Sequence, residues 1–414
     1  MDMIDVILPQ PELSYPAIPR SYIQQGGYTG LNRAKQMSPE ELIAEIKKSG
    51  LRGRGGGAFS TGAKLELLSR RVGEERFLVC NFDEGEPGTF KDRTIIEKNP
   101  HVLLEGIAIA ALAAETDQVF IYLRVEYSYL QPYLQKAIDS AQGVGVFTNL
   151  KINIRLGAGA YVCGEETALL SSLEGKRGEP RFRPPYPSDR GLWGHPTLVN
   201  NVETLSCLPF ILRNGAEKFA SIGAPSYPGT KIITVSGDVV APGAFEVPTD
   251  CKVKDIIYEL AGGMKDSHAL KAVLLGGHAG SFLTPEEIEA EINPEALAAC
   301  RGMLGSGAMI VLNNTRNIVE ISTRIAEFYA YESCGKCNPC REGTFRCREI
   351  MHKILAGKAT HRDLSNLRIL LRVMQRTALC GLGQTVMIPL ISGMDKFYED
   401  YEAEITAMLE VIAP

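Results

Sequence analysis

The spacing of hydrophobic positions changes repeatedly along the first half of the chain. Compact apolar runs at residues 76–82, 118–125 and 151–156 predict strands. Between these runs, apolar residues recur at helical spacing around 101–115 and 129–140. This alternation of strand and helix predicts an α/β layer.

The second half of the chain shows two further patterns. Between residues 231 and 275 the order is strand, strand, helix and strand, which suits a small β-grasp (ubiquitin-like) domain. From Asn317 onward only helical spacing is visible, which predicts a C-terminal helical bundle. We therefore expect three domains: an N-terminal arm with the α/β domain at 1–227, the β-grasp domain at 228–316 and the bundle at 317–414.

Composition narrows the possible functions. The 414 residues are 45% hydrophobic and 22% charged, which is typical of a globular protein. The formal charge of -5 provides no general basic field, so nucleic acid is not an expected partner. The first 20 residues do not resemble a secretory signal, and the longest apolar tract, 102–114, is too short to span a bilayer. We expect an intracellular, soluble protein without direct membrane insertion.

The cysteines suggest a metal centre. Cys334, Cys337 and Cys340 are separated by two-residue spacers, so three thiolates converge on one turn of chain, and Cys380 in a Cys-Gly-Leu-Gly segment is the natural fourth ligand. Thiolates at this spacing favour a four-iron, four-sulfur cluster, with structural zinc as the alternative. Cys347 could replace Cys380, although its position on a predicted helix favours a buried packing role.

A glycine-rich segment follows a well-marked helix. Ser38 and Glu41 form a capping-box pattern, so a helix is expected from there to about residue 48. Residues 50–64 then combine six glycines with two arginines and a lysine. Glycine lets successive backbone N–H groups turn toward an anion, and basic side chains add charge. The segment predicts a phosphate-bearing ligand, although alone it could equally be a surface turn.

Three more segments carry polar groups that suit ligand binding. Residues 81–88 place an amide and three carboxylates directly after a strand, where α/β sheets commonly bind ligands. Residues 157–167 form a glycine turn that leads into a helix, with Glu165 and Glu166 in its first turn, and residues 200–204 begin another helix. Each segment also has a plainer interpretation: 81–88 as a solvated loop, 157–167 as charges that complement a helix dipole, and 200–204 as a helix cap.

These segments, in this order and with the cysteine motif, resemble the flavin-containing NADH dehydrogenase subunit of respiratory complex I and its relatives in NAD-linked hydrogenases and formate dehydrogenases. The resemblance runs from about residue 31 to residue 390. It implies FMN and a [4Fe-4S] cluster as cofactors and NAD(H) as substrate. One departure is Ser60, which stands where the family usually has a proline, so the neighbouring Phe59 is less constrained.

The family motifs assign site residues by position. Those expected at the FMN are Gly53, Arg54, Gly55, Gly56, Lys64, Asn81, Asp83, Glu84, Tyr161, Gly164, Glu165, Glu166, Val199, Asn200, Asn201 and Thr204. Those expected at NADH are Phe59, Lys64, Glu86 and Tyr186. The motif also assigns Cys334, Cys337, Cys340 and Cys380 to the cluster.

The function implied by the resemblance is electron entry. NADH passes a hydride to FMN without an acid–base residue, and single electrons pass to the cluster and then to a partner subunit. The expected partners are a thioredoxin-like [2Fe-2S] subunit and a larger hydrogenase or complex I-type subunit. The expected location is the cytoplasm, either free or in a membrane-attached peripheral arm. Two alternatives stay open: an electron-bifurcating NAD/ferredoxin hydrogenase, and a noncatalytic scaffold stapled by a metal.

Overall fold

The computed structural model describes residues 6–9, 16–71, 73–147 and 149–412. The expected N-terminal arm lies partly outside these residues. The chain divides into two compact units. Unit 1 contains Met1–Gly85, Thr89–Thr234 and Ala244–Cys251, and unit 2 contains Glu86–Gly88, Val235–Gly243 and Lys252–Pro414.

Unit 1 is a mixed α/β structure. Its helices are α1 (Arg20–Gln24), α2 (Thr29–Ala34), α3 (Pro39–Lys48), α4 (Thr61–Ser69), α5 (Lys91–Lys98), α6 (Pro100–Ala114), α7 (Gln131–Gly143), α8 (Glu166–Leu173), α9 (Pro187–Arg190), α10 (Val202–Ser206), α11 (Leu208–Asn214) and α12 (Ala216–Ala220). Its strands are β1 (Phe77–Phe82), β2 (Gln118–Leu123), β3 (Lys151–Leu156), β4 (Thr197–Asn201), the first residues of β5 (Thr230–Gly237) and most of β6 (Gly243–Pro248).

A four-stranded parallel sheet organises unit 1, with strand order β3-β2-β1-β4. Strand β1 is buried along almost its whole length, as expected for a parallel strand covered on both faces. The predicted β1, β2 and β3 are confirmed within one or two residues at each end. Strand β4 was not predicted, although the start of the helix that follows it was.

Helix α6 lies at the centre of the unit 1 core. Every residue of this helix except Leu112 is buried, which agrees with an apolar sequence that lacks a polar face. Asn99 caps the helix by accepting a hydrogen bond from the N–H of Val102 at 3.2 Å. A Cβ atom at Gly106 would lie 2.0 Å from the backbone oxygen of Leu205, so glycine permits the close approach of α6 and α10.

Unit 2 combines a small antiparallel sheet with a set of helices. Its elements are α13 (Val253–Asp255), β7 (Leu270–Leu275), β8 (Ser281–Leu283), α14 (Pro294–Ala299), β9 (Ala308–Asn313), α15 (Ile318–Glu332), α16 (Asn338–Leu355), α17 (His361–Thr377), α18 (Gly381–Thr385), α19 (Met387–Lys396) and α20 (Tyr398–Ile412). Strand β7 pairs antiparallel with β8 on one side and β9 on the other.

The C-terminal part of unit 2 is helical, as predicted, throughout its described residues. Helix α17 begins with a capping box formed by Thr360 and Asp363. Helix α15 packs on α16, and α16 packs on α17. The expected helix at 253–260 forms only one α-helical turn before continuing as a π-helical segment at Ile256–Leu260. Strands β8 and β9 were not predicted. In the part of the chain that is described, no helix has the length and apolarity needed to cross a membrane.

Candidate functional site

The polar ends of two neighbouring strands form the floor of a cleft in unit 1. Strands β1 and β4 are parallel and in register, so that Cys80 is opposite Asn200 and Asn81 is opposite Asn201. Strand β2 lies on the other side of β1, so the chain builds the sheet outward from β1 on one side through β2 and β3 and then returns to add β4 on the opposite side. Open α/β sheets bind ligands at the carboxyl ends of strands where the order reverses in this way.

The cleft has a volume of about 690 Å³ and is formed by segments that are far apart in the sequence. This size falls within the range of cofactor sites. The predicted site residues that line it are Gly53, Gly55, Phe59, Lys64, Asn81, Gly164, Glu165, Glu166, Tyr186, Val199, Asn200, Asn201 and Thr204. The structure therefore brings most of the predicted FMN residues and three of the four predicted NADH residues together.

The glycine loop forms one wall of the cleft. The N–H of Gly53 donates to the carbonyl oxygen of Phe59 at 2.8 Å, which closes the loop. Helix α4 then starts at once, because the Ser60 side chain accepts a hydrogen bond from the N–H of Ala63 at 3.3 Å. A Cβ atom at Gly55 would lie 3.0 Å from the Cβ of Asn201. Glycine is thus required where the loop meets strand β4.

Lys64 joins three of the segments around the cleft. Its Nζ donates to the Glu166 Oε2 at 2.6 Å and to the backbone oxygen of Val199 at 2.7 Å. The Lys64 and Glu166 side chains are each about one-fifth exposed, so the pair is screened less than a surface ion pair. The cleft therefore holds a positive charge in a fixed position on helix α4.

Two asparagine side chains at the floor differ in their hydrogen bonding. Asn81 Nδ2 donates to the carbonyl oxygen of Gly164 at 3.0 Å. Asn200 is only 8% exposed, and its Nδ2 has no hydrogen-bond partner among the described residues. A buried amide donor without a partner costs roughly 1–3 kcal/mol. A ligand that presents an acceptor to Asn200 would remove this cost, so the site fits a polar cofactor.

One cleft residue with a clear electrostatic role was missed from the sequence. Glu165 caps helix α8 by accepting the N–H groups of Thr167 and Ala168 at 3.0 and 2.9 Å. Arg183 pairs with Glu165 and also lies 3.6 Å from Glu166. The sequence feature that could have pointed to Arg183 is its position three residues before Tyr186 in a proline-rich loop. The other cleft residues that were not predicted are Gly57, Ala58, Leu67, Pro187, Ser188 and Asp189.

Five predicted FMN residues do not line the cleft, namely Arg54, Gly56, Asp83, Glu84 and Tyr161. The Arg54 guanidinium is fully buried, 4.1 Å from the centre of the Tyr227 ring, and donates to the Pro228 carbonyl. Only its backbone connects it to a cleft residue, through a 2.8 Å hydrogen bond from its N–H to Thr204 Oγ1.

Glu84 is buried within the segment 81–88 that follows strand β1. Its carboxylate accepts the N–H groups of Asp92 and Arg93 at 2.8 and 3.2 Å and the Tyr127 hydroxyl at 3.3 Å. Burial, assisted by the negative charge of Asp92, raises the pKa of Glu84 to about 7. Glu84 thus organises the chain after β1.

The remaining predicted NADH residue, Glu86, belongs to unit 2. The N–H of Ala279 donates to its Oε1 at 3.1 Å. A Cβ atom at Gly277 would lie 2.6 Å from the Glu86 Cγ. The turn at Gly277–Ala279 is therefore shaped around the Glu86 side chain.

The four predicted cluster cysteines occupy two segments of unit 2. Cys334 precedes α16, Cys337 is its N-cap, Cys340 lies in its first turn, and Cys380 is the N-cap of α18. The N–H of Leu379 donates to the Cys337 sulfur at 3.5 Å. None of the ten cysteines, all of which lie in the described part of the chain, forms a disulfide.

The cysteine segments approach each other closely. A Cβ atom at Gly383 would lie 2.9 Å from the Cys340 Cβ, so glycine is required there. Burial, followed by the charges of Cys337, Cys380 and Cys334, raises the pKa of Cys340 to about 12. A negative charge on one of these sulfurs therefore disfavours ionisation of the others. Bound iron is cationic and would instead favour the ionised thiolates.

The same four cysteines fit a cluster in their chemistry, because all four donors are thiols on two segments that pack together. Burial raises the pKa of Cys380, opposed by the N–H groups of Leu382 and Gly383. In the described part of the chain, no three His, Cys, Asp or Glu side chains are grouped closely enough to hold a single metal ion. A four-iron cluster is larger than an ion, and its thiolate ligands stand further apart. Cys347 is fully buried, 3.8 Å from the Met374 sulfur, which agrees with a packing role.

Comparison with known proteins gives these two sites a family context. Residues 46–209 match the Nuo51 FMN-binding domain, residues 320–404 match the NADH-ubiquinone oxidoreductase-F iron-sulfur binding region, and residues 232–277 match the SLBB domain. The F subunit of the NADH-quinone oxidoreductase of Aquifex aeolicus is 41% identical over 94% of this chain and 97% of its own length. The chain belongs to the family of NADH-quinone oxidoreductase F subunits.

Relatives in this family include hydrogenase subunits. The NADP-reducing hydrogenase subunit HndC of Solidesulfovibrio fructosivorans is 41% identical over 93% of this chain and 80% of its own length. The crystal structure of an NAD+-reducing [NiFe]-hydrogenase in the H2-reduced state superposes with a TM-score of 0.85 at 38% identity. It matches 91% of this chain, whereas this chain spans only 65% of the hydrogenase chain.

Family membership confirms the resemblance inferred from the motifs. The matched domains give FMN and a [4Fe-4S] cluster as the cofactors of the chain and make it an oxidoreductase subunit. The FMN-binding match, 46–209, encloses the segments that form the unit 1 cleft. The iron-sulfur match, 320–404, encloses all four predicted cluster cysteines.

Proposed function

We propose that this chain oxidises NADH at an FMN in the unit 1 cleft and delivers electrons through a [4Fe-4S] cluster to a partner subunit of a multi-subunit redox complex. The observation that carries the proposal is a cleft of about 690 Å³ inside the FMN-binding match, in which the buried amide nitrogen of Asn200 has no hydrogen-bond partner among the described residues. FMN, when bound, supplies the chemistry that links a two-electron hydride donor to single-electron acceptors.

The FMN is held by groups on the glycine loop and strand β4. The N–H groups of Gly53 and Arg54 are already bonded within the protein, so the backbone N–H groups of Gly55 and Gly56 serve as anion donors, because glycine allows them to turn toward a phosphate. Asn200 supplies a side-chain donor, and Lys64 supplies positive charge. Most of the other predicted FMN residues line the wall of the cleft. Glu84 does not line it, but its hydrogen bonds to Asp92 and Arg93 fix the chain that follows β1.

NADH binds against exposed aromatic side chains of the same cleft. Phe59 is 57% exposed and Tyr186 is 52% exposed, which is unusual for large aromatic residues in an otherwise well-packed unit. Such faces suit the planar rings of a dinucleotide. Arg183 adds a cation that suits the pyrophosphate, although it is shared with Glu165 and Glu166. Glu86 retains its motif-based assignment to NADH.

Cys334, Cys337, Cys340 and Cys380 hold the cluster, and the electrons leave the chain from there. The partners are a thioredoxin-like [2Fe-2S] subunit and a larger subunit of the hydrogenase or complex I type. The location is the cytoplasm, where a reducing environment keeps ligand thiols available. Residues 228–316 form the β-grasp domain between the FMN domain and the bundle, supported by the SLBB match and the antiparallel strands β7 to β9.

An anaerobic absorption spectrum of the full chain, reconstituted with iron, sulfide and FMN, tests this function. We expect about one FMN and about four irons per chain, with bleaching of the flavin band when NADH is added. Zinc binding without flavin would instead support the metal-stapled scaffold. Electron exchange of NAD(H) that is coupled to both ferredoxin and a hydrogenase, in the isolated complex, would support the electron-bifurcating alternative.

A further inference from the structure

Four buried charged side chains form a continuous row behind the floor of the cleft. Lys91 Nζ lies 2.6 Å from Asp92 Oδ1 and 3.2 Å from Glu203 Oε2, and Glu203 also pairs with Lys231. Their side chains are at most 2% exposed. Burying an ion costs several kcal/mol even when it is paired, so such a row is a weak source of stability.

Neighbouring charges favour the ionised forms of Lys91 and Glu203 in this row. Burial alone would lower the pKa of Lys91, but Asp92 and Glu203 raise it above its usual value. Burial would likewise raise the pKa of Glu203, but Lys231 and Lys91 lower it. The row therefore alternates in sign and ends, at Asp92, beside a residue of the cleft.

That residue is Asn201, whose side-chain amide is completely occupied by protein groups. Its Oδ1 accepts from Lys91 Nζ at 3.0 Å and from the N–H of Glu203 at 3.1 Å. Its Nδ2 donates to Asp92 Oδ2 at 2.7 Å and to the Asn81 carbonyl at 3.4 Å. An asparagine amide has two N–H donors, so none is left for a ligand.

The two charged neighbours also fix which way this amide points. An ammonium group can only donate, so it requires the oxygen of Asn201, and a carboxylate can only accept, so it requires the nitrogen. Rotation of the amide by half a turn would break both contacts. Asn201 lines the cleft, and a Cβ atom added at Gly55 would lie only 3.0 Å from the Asn201 Cβ and 3.4 Å from its Cγ, so the fixed side chain is part of the surface that the glycine loop faces.

We propose that Lys91 and Asp92 are positioning residues for the FMN site, and that they act through Asn201 rather than by touching the cofactor. Asn201 is the contact between the glycine loop and strand β4, and Asn200 is the asparagine that donates to the ligand. The inference rests on the proposed function, because it takes the cleft to be the FMN site.

An exchange of side chains between positions 92 and 201 tests the proposal. Asn201→Asp places a carboxylate against Asp92, so we expect the Kd for FMN to rise at least tenfold, as measured by quenching of flavin fluorescence in the full chain. The double variant Asp92→Asn/Asn201→Asp restores a donor and an acceptor at the same contact with the original net charge. We expect its Kd for FMN to return to within about threefold of the Kd of the unsubstituted chain. A tenfold change in Kd corresponds to about 1.4 kcal/mol of binding free energy.

Glu105→Gln is the matched control for general destabilisation. Glu105 is a fully buried carboxylate of unit 1 that binds the Tyr22 hydroxyl and the N–H groups of Tyr28 and Leu31. This variant should lower the thermal unfolding midpoint while leaving the Kd for FMN within about twofold.

The outcomes separate the inference from the function on which it rests. Rescue in the double variant, with an unaffected control, supports the positioning role. If the double variant binds FMN no better than Asn201→Asp, or if Glu105→Gln loses FMN equally, the positioning role is wrong while the function stands. Absence of FMN binding by the unsubstituted chain overturns both.

Discussion

Replacing Asn200 by leucine should make the FMN-free chain more stable and its FMN complex weaker. The Asn200 amide nitrogen is buried and has no partner in the described chain, so it carries an unsatisfied donor in the absence of ligand. Leucine has the same number and branching of side-chain heavy atoms as asparagine and no polar atoms. Removing an unsatisfied buried donor should stabilise the FMN-free chain by about 1–2 kcal/mol.

The same substitution removes a hydrogen bond to the cofactor. We expect a loss of about 2 kcal/mol of binding free energy, which is roughly a thirtyfold increase in the Kd for FMN. Urea unfolding followed by circular dichroism measures the first effect, and quenching of flavin fluorescence measures the second. Asn200→Asp is the control: it keeps a polar group of the same shape but removes the donor, so it should weaken FMN binding without stabilising the FMN-free chain.

The two effects of Asn200→Leu must occur together. A variant that binds FMN within about threefold of the unsubstituted chain would refute the assignment of Asn200 as a ligand donor. A variant that is less stable without FMN would show that the amide is satisfied in solution, and the magnitude derived from its burial would then be wrong.

Three further predictions concern the cluster and the N-terminal arm. Cys380→Ser should abolish incorporation of the four irons, measured by iron and sulfide content, whereas Cys347→Ser should keep the cluster. Gly383→Ala should also lose iron, because its Cβ would lie 2.9 Å from that of a ligand cysteine, whereas Gly381→Ala meets no atom within 4 Å and should retain it. Glu246 on β6 accepts the N–H groups of Ile7 and Leu8 in the N-terminal arm at 3.0 and 2.7 Å. Burial raises its pKa to about 7 from 4.5, so stability should fall by up to about 3 kcal/mol as pH rises from 4.5 to 7. Urea titrations at pH 5 and pH 8 should show that Glu246→Gln loses less stability between these pH values than the unsubstituted chain. An equal loss would contradict the assignment of this pH dependence to Glu246.

Local sequence signals were sufficient for much of the fold. The capping box at Ser38 and Glu41 forms as predicted, and β3 has the predicted bounds of Lys151–Leu156. Strand β4 was missed because its five residues end in two asparagines, which are rare in strands and common in helix caps. Asn201 in fact serves both roles, since it ends the strand and caps α10.

The candidate site was predictable only in part, for a physical reason. Motifs identify which backbone segments meet, and the structure brings most of them to one cleft. They do not reveal which way a side chain turns. Arg54 looked like a phosphate ligand, yet its guanidinium stacks under Tyr227 and away from the cleft. Arg183 looked like part of a loop rich in glycine, proline and arginine, yet it pairs with Glu165 and Glu166 at the start of helix α8.

The close approach of α6 and α10 at Gly106 has a consequence for motion in the protein. The floor of the cleft continues directly into α10, which is packed against the most deeply buried helix of unit 1. Amide hydrogens of β4 and α10 should therefore exchange with solvent only when the whole unit unfolds. The loop that carries Arg183 and Tyr186 has far fewer buried apolar contacts, and its amides should exchange through local opening. Ligands would then enter and leave by displacement of this outer wall, while the floor keeps its shape throughout each turnover.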